Sequence, residues 1–238
     1  MELWHALRIR LVETPTPEVS PGHRSAMDRL WAQAVRANPA LFDGPVAALT
    51  GLERDGWDGL VLSWARATYR FRALRQVPDA PAWSSLFVTV LQPSDDGRLM
   101  VGRMSPSTAA PGRWQLPGGT IEPPDGEGGL DLAGLRRHAA RELAEEIGSD
   151  TPSDALALWL TTRGTSGNVG VMFVAPPRPA DELDERYAEL VRTESARGYD
   201  PEFDRIELIR SAADLEGLEG PHVDYLEPVV RHYAGGPA

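Results

Sequence analysis

Three glutamates stand within one turn of the segment RELAEEIG, residues 141–148: Glu142, Glu145 and Glu146. Residues three and four positions apart are neighbours on a helix, so these carboxylates share one side of it. Like charges at this spacing repel, so either water screens them or a cation lies between them. Hard divalent cations such as Mg²⁺ take oxygen ligands and complete their shell with water and substrate phosphates. The cluster therefore indicates a metal site, with an ordinary solvated helix face as the alternative interpretation.

A glycine-rich loop, LPGGT at residues 116–120, precedes the glutamates. Glycine has no Cβ, so the backbone of this loop can approach another group closely. Trp114 stands just before the loop and is expected to anchor it in the core. A carboxylate cluster that faces such a loop is suited to binding a phosphate group together with a metal ion.

The segments PGGTIE and RELAEEIG together resemble the Nudix box. That box reads glycine, five residues, glutamate, seven residues, Arg-Glu, an aliphatic residue, any residue, Glu-Glu, any residue, glycine and an aliphatic residue. The matching positions are Gly118, Gly119, Glu122, Arg141, Glu142, Leu143, Glu145, Glu146 and Gly148. With the flanking predicted strands, the resemblance covers about residues 83–233.

The chain departs from the box in its middle and at its end. Arg141 follows Gly119 by 22 positions, which makes the loop 8 residues longer than the pattern allows. Ala133 stands where the box has its first glutamate, and Ser149 stands at the final aliphatic position. The extended loop offers Glu127 or Asp125 as substitutes for the missing glutamate, with an ordinary loop acid as the alternative.

The resemblance implies a fold and a reaction. The implied fold is α/β, an α/β/α sandwich with a mixed sheet. The implied reaction is hydrolysis of a nucleoside diphosphate linked to another group. In such a reaction metal ions neutralise charge on the diphosphate and activate the attacking water. The expected ion is Mg²⁺, with Mn²⁺ as an alternative.

The resemblance also assigns roles to residues of the box. The implied metal ligands are Gly119, through its backbone carbonyl, Glu142, Glu145 and Glu146. Glu142 is either a ligand or the water activator. Arg141 is implied to orient the glutamates by pairing with them, and Glu122 is placed on the substrate side, where it steers an outer-shell water.

A second resemblance concerns the substrate. The segment NPALFDGPVAAL, residues 38–49, followed by LVLSWARATYRF, residues 60–71, is similar to the front region of Nudix enzymes that hydrolyse UDP-glucose-type nucleotide sugars. The predicted products are a nucleoside monophosphate and a sugar phosphate. ADP-ribose and coenzyme A hydrolysis are the alternatives, and a non-catalytic nucleotide sensor is the alternative outside the enzyme class.

Composition narrows the class of partner. The formal net charge of −11 argues against nucleic acid, because phosphate backbones require a basic surface. All 24 basic residues are arginine, which excludes a catalytic lysine, and the absence of cysteine excludes thiolate chemistry. We find neither a signal peptide nor an apolar run long enough to span a membrane, so we expect a cytoplasmic protein that does not bind membranes.

The elements that must position these residues can be predicted from hydrophobic periodicity. The longest helical pattern runs from Asp131 to Ile147 and carries the glutamates. Strands are predicted in the segments ALRIRLV, SLFVTVLQ, ALALWLTTRG, NVGVMFVAP and FDRIELIR. The Pro-rich segment VPDAPAW, residues 77–83, suggests a boundary between an N-terminal αβ extension, residues 1–78, and a hydrolase domain, residues 79–238. The extension either covers the substrate or builds a homodimer.

Residues outside the box are weaker candidates. Arg103 and Arg163 stand at predicted strand ends near the expected cleft and are predicted to bind substrate phosphate, since guanidinium forks suit that geometry. A surface arginine is the alternative for both. Glu202, in the loop YDPEFDR, is a candidate additional acid. His138 lies in the box helix and is interpreted as a partly exposed surface residue.

Overall fold

The computed structural model describes residues 1–6, 8–81, 83–126 and 128–235. Glu127, one of the two loop acids considered above, lies outside the described residues. Asp125, the other, lies in an exposed bend.

The described residues form ten strands. They are β1 Glu2–Trp4, β2 Arg8–Glu13, β3 Pro45–Asp55, β4 Gly59–Thr68, β5 Ser84–Leu91, β6 Leu99–Met104, β7 Trp114–Gln115, β8 Ala157–Arg163, β9 Val169–Val174 and β10 Phe203–Ile209. Each strand predicted from the sequence is present. The two strands that follow the box, β8 and β9, pair antiparallel.

The described residues also form five α-helices. They are α1 Pro21–Ala37, α2 Leu132–Ile147, α3 Ala180–Arg197, α4 Ala212–Leu215 and α5 Leu226–Ala234. The box helix α2 begins where the Asp131 carboxylate accepts from the Gly134 backbone N–H at 2.6 Å. It ends at Gly148, whose φ of 70° lies in the left-handed region that glycine adopts most readily. Both ends of the helix therefore agree with the sequence prediction.

Seven strands form one mixed sheet in the order β1-β8-β9-β5-β3-β4-β2. The pairs β5–β9 and β2–β4 are parallel, and the other pairs in this sheet are antiparallel. A second sheet of three strands has the order β10-β6-β7.

The central strands are buried on both faces. On β5, Val88 and Val90 pack in the cluster that contains Leu143 of α2. The next residue along, Leu91, packs on the opposite face in the cluster that contains Val229 of α5. Because neighbouring residues of a strand point to opposite faces, helices cover the sheet on both sides. The predicted α/β/α sandwich with a mixed sheet is confirmed.

The N-terminal segment contributes strands to this same sheet. The strand β3 pairs with β5 through Ala48–Ser85 and Leu49–Ser84. A small cluster centred on Met27 of α1, with Leu74 and Trp83, covers this part of the sheet. The domain boundary near residue 78 stays a prediction, and β3 and β5 are hydrogen-bonded across it.

Within the described part of the chain, no helix combines the length and the apolar character that a bilayer crossing requires.

Candidate functional site

The three box glutamates lie at different depths along α2. Leu135, Ala139 and Leu143 form its buried stripe. Glu146 is fully buried beside that stripe, whereas the Glu145 side chain is 60% exposed and the Glu142 side chain 13% exposed. A solvated helix face would leave all three carboxylates in water. The structure instead withdraws Glu146 from water entirely.

Glu146 is the most unusual carboxylate of the three. Its Oε2 accepts from the Gly118 backbone N–H at 2.6 Å, and its Oε1 is buried with no hydrogen-bond partner among the described residues. Burial raises its pKa well above the ordinary value, and repulsion from Glu202 and Glu142 adds to the rise. An unpaired buried carboxylate is costly. A cation at Oε1 would remove that cost.

The two glycines of the loop are required by close contacts. A Cβ on Gly118 would lie 2.1 Å from the Val88 carbonyl oxygen, and the φ of Gly118 is +146°. A Cβ on Gly119 would lie 2.7 Å from Glu142 Oε1. The first glycine therefore seats the loop on β5, and the second leaves room for the Glu142 carboxylate.

The carbonyl of Gly119, implied as a metal ligand, accepts from the Val88 backbone N–H at 3.0 Å. This bond uses one of its two lone pairs. The carbonyl of Gly118 faces the Gln115 side-chain amide at 3.5 Å. Both glycines line the same cavity as Glu202, described below.

Arg141 lies between several acceptors. It is 3.7 Å from Glu122 and 3.9 Å from Glu145, and all three side chains are about half exposed. Exposed pairs at such distances contribute little to stability. Its closest polar contact is His138, whose Nδ1 lies 3.0 Å from the Arg141 Nη2. The fold thus places the Glu122 carboxylate beside the Arg141 guanidinium.

Glu202 joins the box carboxylates from a distant part of the sequence. The Ser105 backbone N–H donates to the Glu202 carbonyl at 2.8 Å, which holds the segment before β10 in place. Surrounding protein, together with Glu142 and Glu145, raises the pKa of Glu202 to about 7. The side chain remains open to the water of the cavity, which screens part of this repulsion. Burial and Glu142 likewise raise the pKa of Glu145.

A cavity of about 710 Å³ opens beside the glycine loop. Gly118, Gly119 and Glu202 line one part of it. Phe42 and Tyr69 of the N-terminal segment line another. The cavity has the size of a small-molecule site. Its lining includes residues of both segments that resemble Nudix enzymes, the box and the N-terminal segment.

The N-terminal wall of the cavity is held at both ends of the segment 38–43. The Asn38 side-chain amide donates to the Thr108 carbonyl at 3.0 Å, and the Asp43 carboxylate accepts from the Arg70 backbone N–H at 2.9 Å. Phe42 is 79% exposed between these anchors. The Arg72 guanidinium donates to the Tyr69 hydroxyl at 2.7 Å and lies over its ring.

The extended part of the box loop is fixed by an arginine. The Arg66 guanidinium, on β4, donates to the carbonyls of Pro124 and Gly128 at 2.8 and 3.0 Å. It also pairs with Glu13 of β2. The extra residues thus pack against the N-terminal strands.

Neither predicted substrate-binding arginine lies in the cavity lining given by the described residues. Arg103 pairs with Asp204 at 2.7 Å on the second sheet. Arg163 ends β8 as an exposed residue beside β1 and β9. The arginines that do line the cavity are Arg72, Arg75 and Arg113. The positions of Arg103 and Arg163 follow from how their strands pair, which hydrophobic periodicity does not predict.

His138 departs from its predicted position on the surface. It is only 9% exposed, and its Nε2 lies 2.8 Å from Glu142 Oε1. Its spacing of four residues from Glu142 was a usable signal, because such residues meet on a helix. The burial itself follows from packing in the folded protein.

Carboxylate oxygens that could bind a hard cation are present, but those of the described residues do not converge on one point. Among residues 1–6, 8–81, 83–126 and 128–235, no group of three or more acidic or histidine side chains already forms a metal-ligand set. The buried oxygen of Glu146 and the Glu142 carboxylate over Gly119 are nevertheless oxygen ligands of the kind that a hard cation takes. The donor set therefore suits Mg²⁺ or Mn²⁺.

Comparison with known proteins found no matching family model and no matching curated protein. Solved structures do match. The MutT protein from Methanosarcina mazei Go1 has 20% sequence identity and a TM-score of 0.42, covering 63% of this chain and 92% of that one. A Nudix hydrolase from Nitrosomonas europaea has 16% identity and a TM-score of 0.37, covering 62% and 85%.

A third solved structure is the Nudix hydrolase RenU from M. smegmatis. It has 15% identity and a TM-score of 0.38, and the match covers 65% of this chain and 88% of that one. Because the sequence identities and TM-scores are this low, we assign the roles of individual residues from the geometry of this chain alone.

Proposed function

We propose that this protein is a Mg²⁺-dependent, Nudix-type hydrolase of a nucleoside diphosphate linked to another group. The observation that carries the proposal is Glu146. One of its oxygens accepts from the Gly118 N–H, and the other is buried beside two more carboxylates with no hydrogen-bond partner among the described residues. This arrangement matches what a carboxylate ligand of a hard cation requires.

In the proposed reaction, water attacks a phosphorus atom and one P–O bond of the diphosphate breaks. The leaving phosphate keeps the bridging oxygen, and the proton of the water must be accepted. Bound Mg²⁺ would supply charge neutralisation and a more acidic water. Glu142, Glu145 and Glu146 would hold the ion, with the Gly119 carbonyl as the implied backbone ligand.

Glu202 suits the proton-accepting role. Burial and the nearby charges of Glu142 and Glu145 raise its pKa in the absence of metal, so its carboxylate lies beside those that would hold the ion. It lines the same cavity as Gly118 and Gly119. Glu142 is the alternative water activator. Glu122, which reaches Arg141, would influence water outside the first shell.

We further propose a nucleotide sugar of the UDP-glucose type as substrate, cleaved to a nucleoside monophosphate and a sugar phosphate. The support is the N-terminal wall. Phe42 offers an exposed flat ring, and Arg72 offers a cation to the diphosphate, as does Arg113 elsewhere in the same cavity. The two arginines replace Arg103 and Arg163 in this proposal. ADP-ribose and coenzyme A also contain a nucleoside diphosphate and remain the alternatives.

A non-catalytic nucleotide sensor is the second candidate function. It is favoured by one observation, the 8-residue extension of the box loop together with Ala133 at a glutamate position. Retention of all three glutamates on the box helix, Glu142, Glu145 and Glu146, favours the enzyme. The cytoplasmic location and the homodimer stay predictions from the sequence.

The proposal can be tested by a phosphate-release screen with Mg²⁺ and an added phosphatase, which detects monoester products. UDP-sugars, ADP-ribose, coenzyme A and dinucleoside polyphosphates would be compared. Highest turnover with UDP-sugars would support both levels of the proposal. Highest turnover with ADP-ribose or coenzyme A would overturn the sugar assignment alone. No turnover, together with a nucleotide that raises the melting temperature, would favour the sensor.

A further inference from the structure

His138 stands between Arg141 and Glu142 on the box helix. Its ring is 9% exposed, its Nδ1 lies 3.0 Å from Arg141 Nη2, and its Nε2 lies 2.8 Å from Glu142 Oε1. The Nudix pattern carries no histidine at this position. The contacts are therefore a property of this chain.

The contact with Arg141 determines where the ring proton lies. A guanidinium can only donate, so Nδ1 must accept from Arg141. In the neutral ring the proton is then on Nε2, the nitrogen nearest Glu142. This buried N–H is poorly aligned with Glu142 Oε1 and has no better acceptor among the described residues. The 2.8 Å separation is nevertheless within hydrogen-bond reach.

A hydrogen bond from His138 would fix the orientation of the Glu142 carboxylate. Both of its oxygens lie over Gly119, at 2.7 and 2.9 Å from where a Cβ would be. An N–H at Oε1 would hold that oxygen and leave Oε2 free to bind a cation. The distances of Arg141 to the carboxylates of Glu122 and Glu145 are 3.7 and 3.9 Å, too long for strong bonds.

We propose that His138 is a positioning residue that holds the Glu142 carboxylate in its cation-binding orientation, with Arg141 acting on Glu142 through the imidazole. The inference rests on the proposed hydrolase function. Groups that orient metal ligands typically change metal affinity or activity by about 10- to 100-fold when they are removed.

Three variants separate the two bonds. His138→Leu removes both. His138→Asn keeps an acceptor for Arg141 but does not reach Glu142. His138→Gln offers a carbonyl to Arg141 and an N–H to Glu142. Arg137→Gln, on the exposed side one residue earlier, is the matched control.

The first readout is Mn²⁺ affinity, measured from the EPR signal of the free ion. Mg²⁺ half-activation, kcat and KM follow for the best substrate of the screen. We expect His138→Leu and His138→Asn to bind Mn²⁺ about 10- to 100-fold more weakly, with kcat lowered and KM for substrate little changed. His138→Gln should recover most of the affinity. Arg137→Gln should match the parent protein.

A double-mutant cycle tests the relay itself. If Arg141 acts through the imidazole, adding Arg141→Met to His138→Leu should cause little further loss of Mn²⁺ affinity. Fully additive losses would overturn the relay. Unchanged Mn²⁺ affinity in folded His138→Asn would overturn the positioning role while leaving the hydrolase proposal intact. A parent protein that neither binds Mn²⁺ nor turns over any substrate would overturn both.

Discussion

The two ends of the cavity are built in different ways. The carboxylate end comes largely from residues 118–146, with a buried glutamate bonded to backbone and glycines seated against β5. The wall end comes from residues 38–43 and 69–72, and its ring and guanidinium side chains reach into solvent. We expect the buried carboxylate end to carry out the reaction and the exposed wall to bind the substrate. Changes at the first end should lower turnover, and changes at the second should lower affinity.

The largest expected effect is that of Glu146→Gln. Glutamine can still accept from the Gly118 N–H, so the fold should persist, but the charge that would hold the cation is lost. We expect kcat to fall by roughly 1,000-fold, since a metal ion contributes several kcal/mol to charge stabilisation. Steady-state kinetics and circular dichroism would check this. Glu185→Gln, an exposed change on α3, is the control. Near-normal turnover by folded Glu146→Gln would refute the metal-site assignment.

The adjacent glycines should separate folding from activity. Gly119→Ala places a methyl group 2.7 Å from Glu142 Oε1, and we expect this displacement to lower kcat by about 100-fold, within the range seen for misplaced catalytic groups. Gly118→Ala meets the Val88 carbonyl at 2.1 Å and should lower the free energy of unfolding by about 2–5 kcal/mol.

Urea unfolding and kinetics on both glycine variants would check this pair. Gly129→Ala, in the extended part of the loop, has no described residue within 4 Å of its Cβ position and is the control for both. Equal losses of stability in Gly118→Ala and Gly119→Ala would show that the two glycines have the same role.

A smaller effect is expected at the wall. Phe42→Ala removes an exposed ring from the cavity rim and should raise KM by about 10-fold with little change in kcat, in line with the ~1–3 kcal/mol of a stacked base. Trp57→Ala removes a ring that is 84% exposed in the β3–β4 turn and is the matched control. A fall in kcat without a change in KM would place Phe42 at the chemical end instead.

The smallest expected effect is on the pH dependence of stability. The pKa of Glu202 is raised to about 7 from 4.5, so the folded protein holds this proton more tightly than the unfolded chain. Its stabilising contribution is complete below about pH 4.5 and is lost as the pH rises through 7. Without metal, the melting temperature should therefore fall by a few degrees between about pH 5 and pH 8.

Glu202→Gln should reduce this fall without abolishing it, because the pKa values of Glu146 and Glu145 are raised as well. Mg²⁺ should oppose the fall at high pH, because a cation favours the ionised carboxylates. Thermal melts of both proteins at several pH values, with and without Mg²⁺, would measure the difference. A slope unchanged in Glu202→Gln would show that Glu202 does not carry the effect.

The helices and strands that could be predicted are those with a local signal in the sequence. The ends of α2 follow from Asp131 and Gly148, and the buried strands follow from continuous apolar runs, as in β5 and β9. Pairings such as β3 with β5 involve residues far apart in sequence and leave no local signal. The predicted location of Arg103 and Arg163 near the cleft depended on such pairings, and the structure puts neither in the cavity lining of the described residues.

The sequence by itself determined the carboxylate end: the glycine loop, the helix and the spacing of Glu142, Glu145 and Glu146 lie within one short segment. Helix geometry turns that spacing into proximity. Tertiary structure alone decided that Glu146 is buried, that Glu202 joins it and that His138 meets Glu142 out of the solvent. Burial and long-range approach depend on how separate elements pack, and packing is a property of the whole chain.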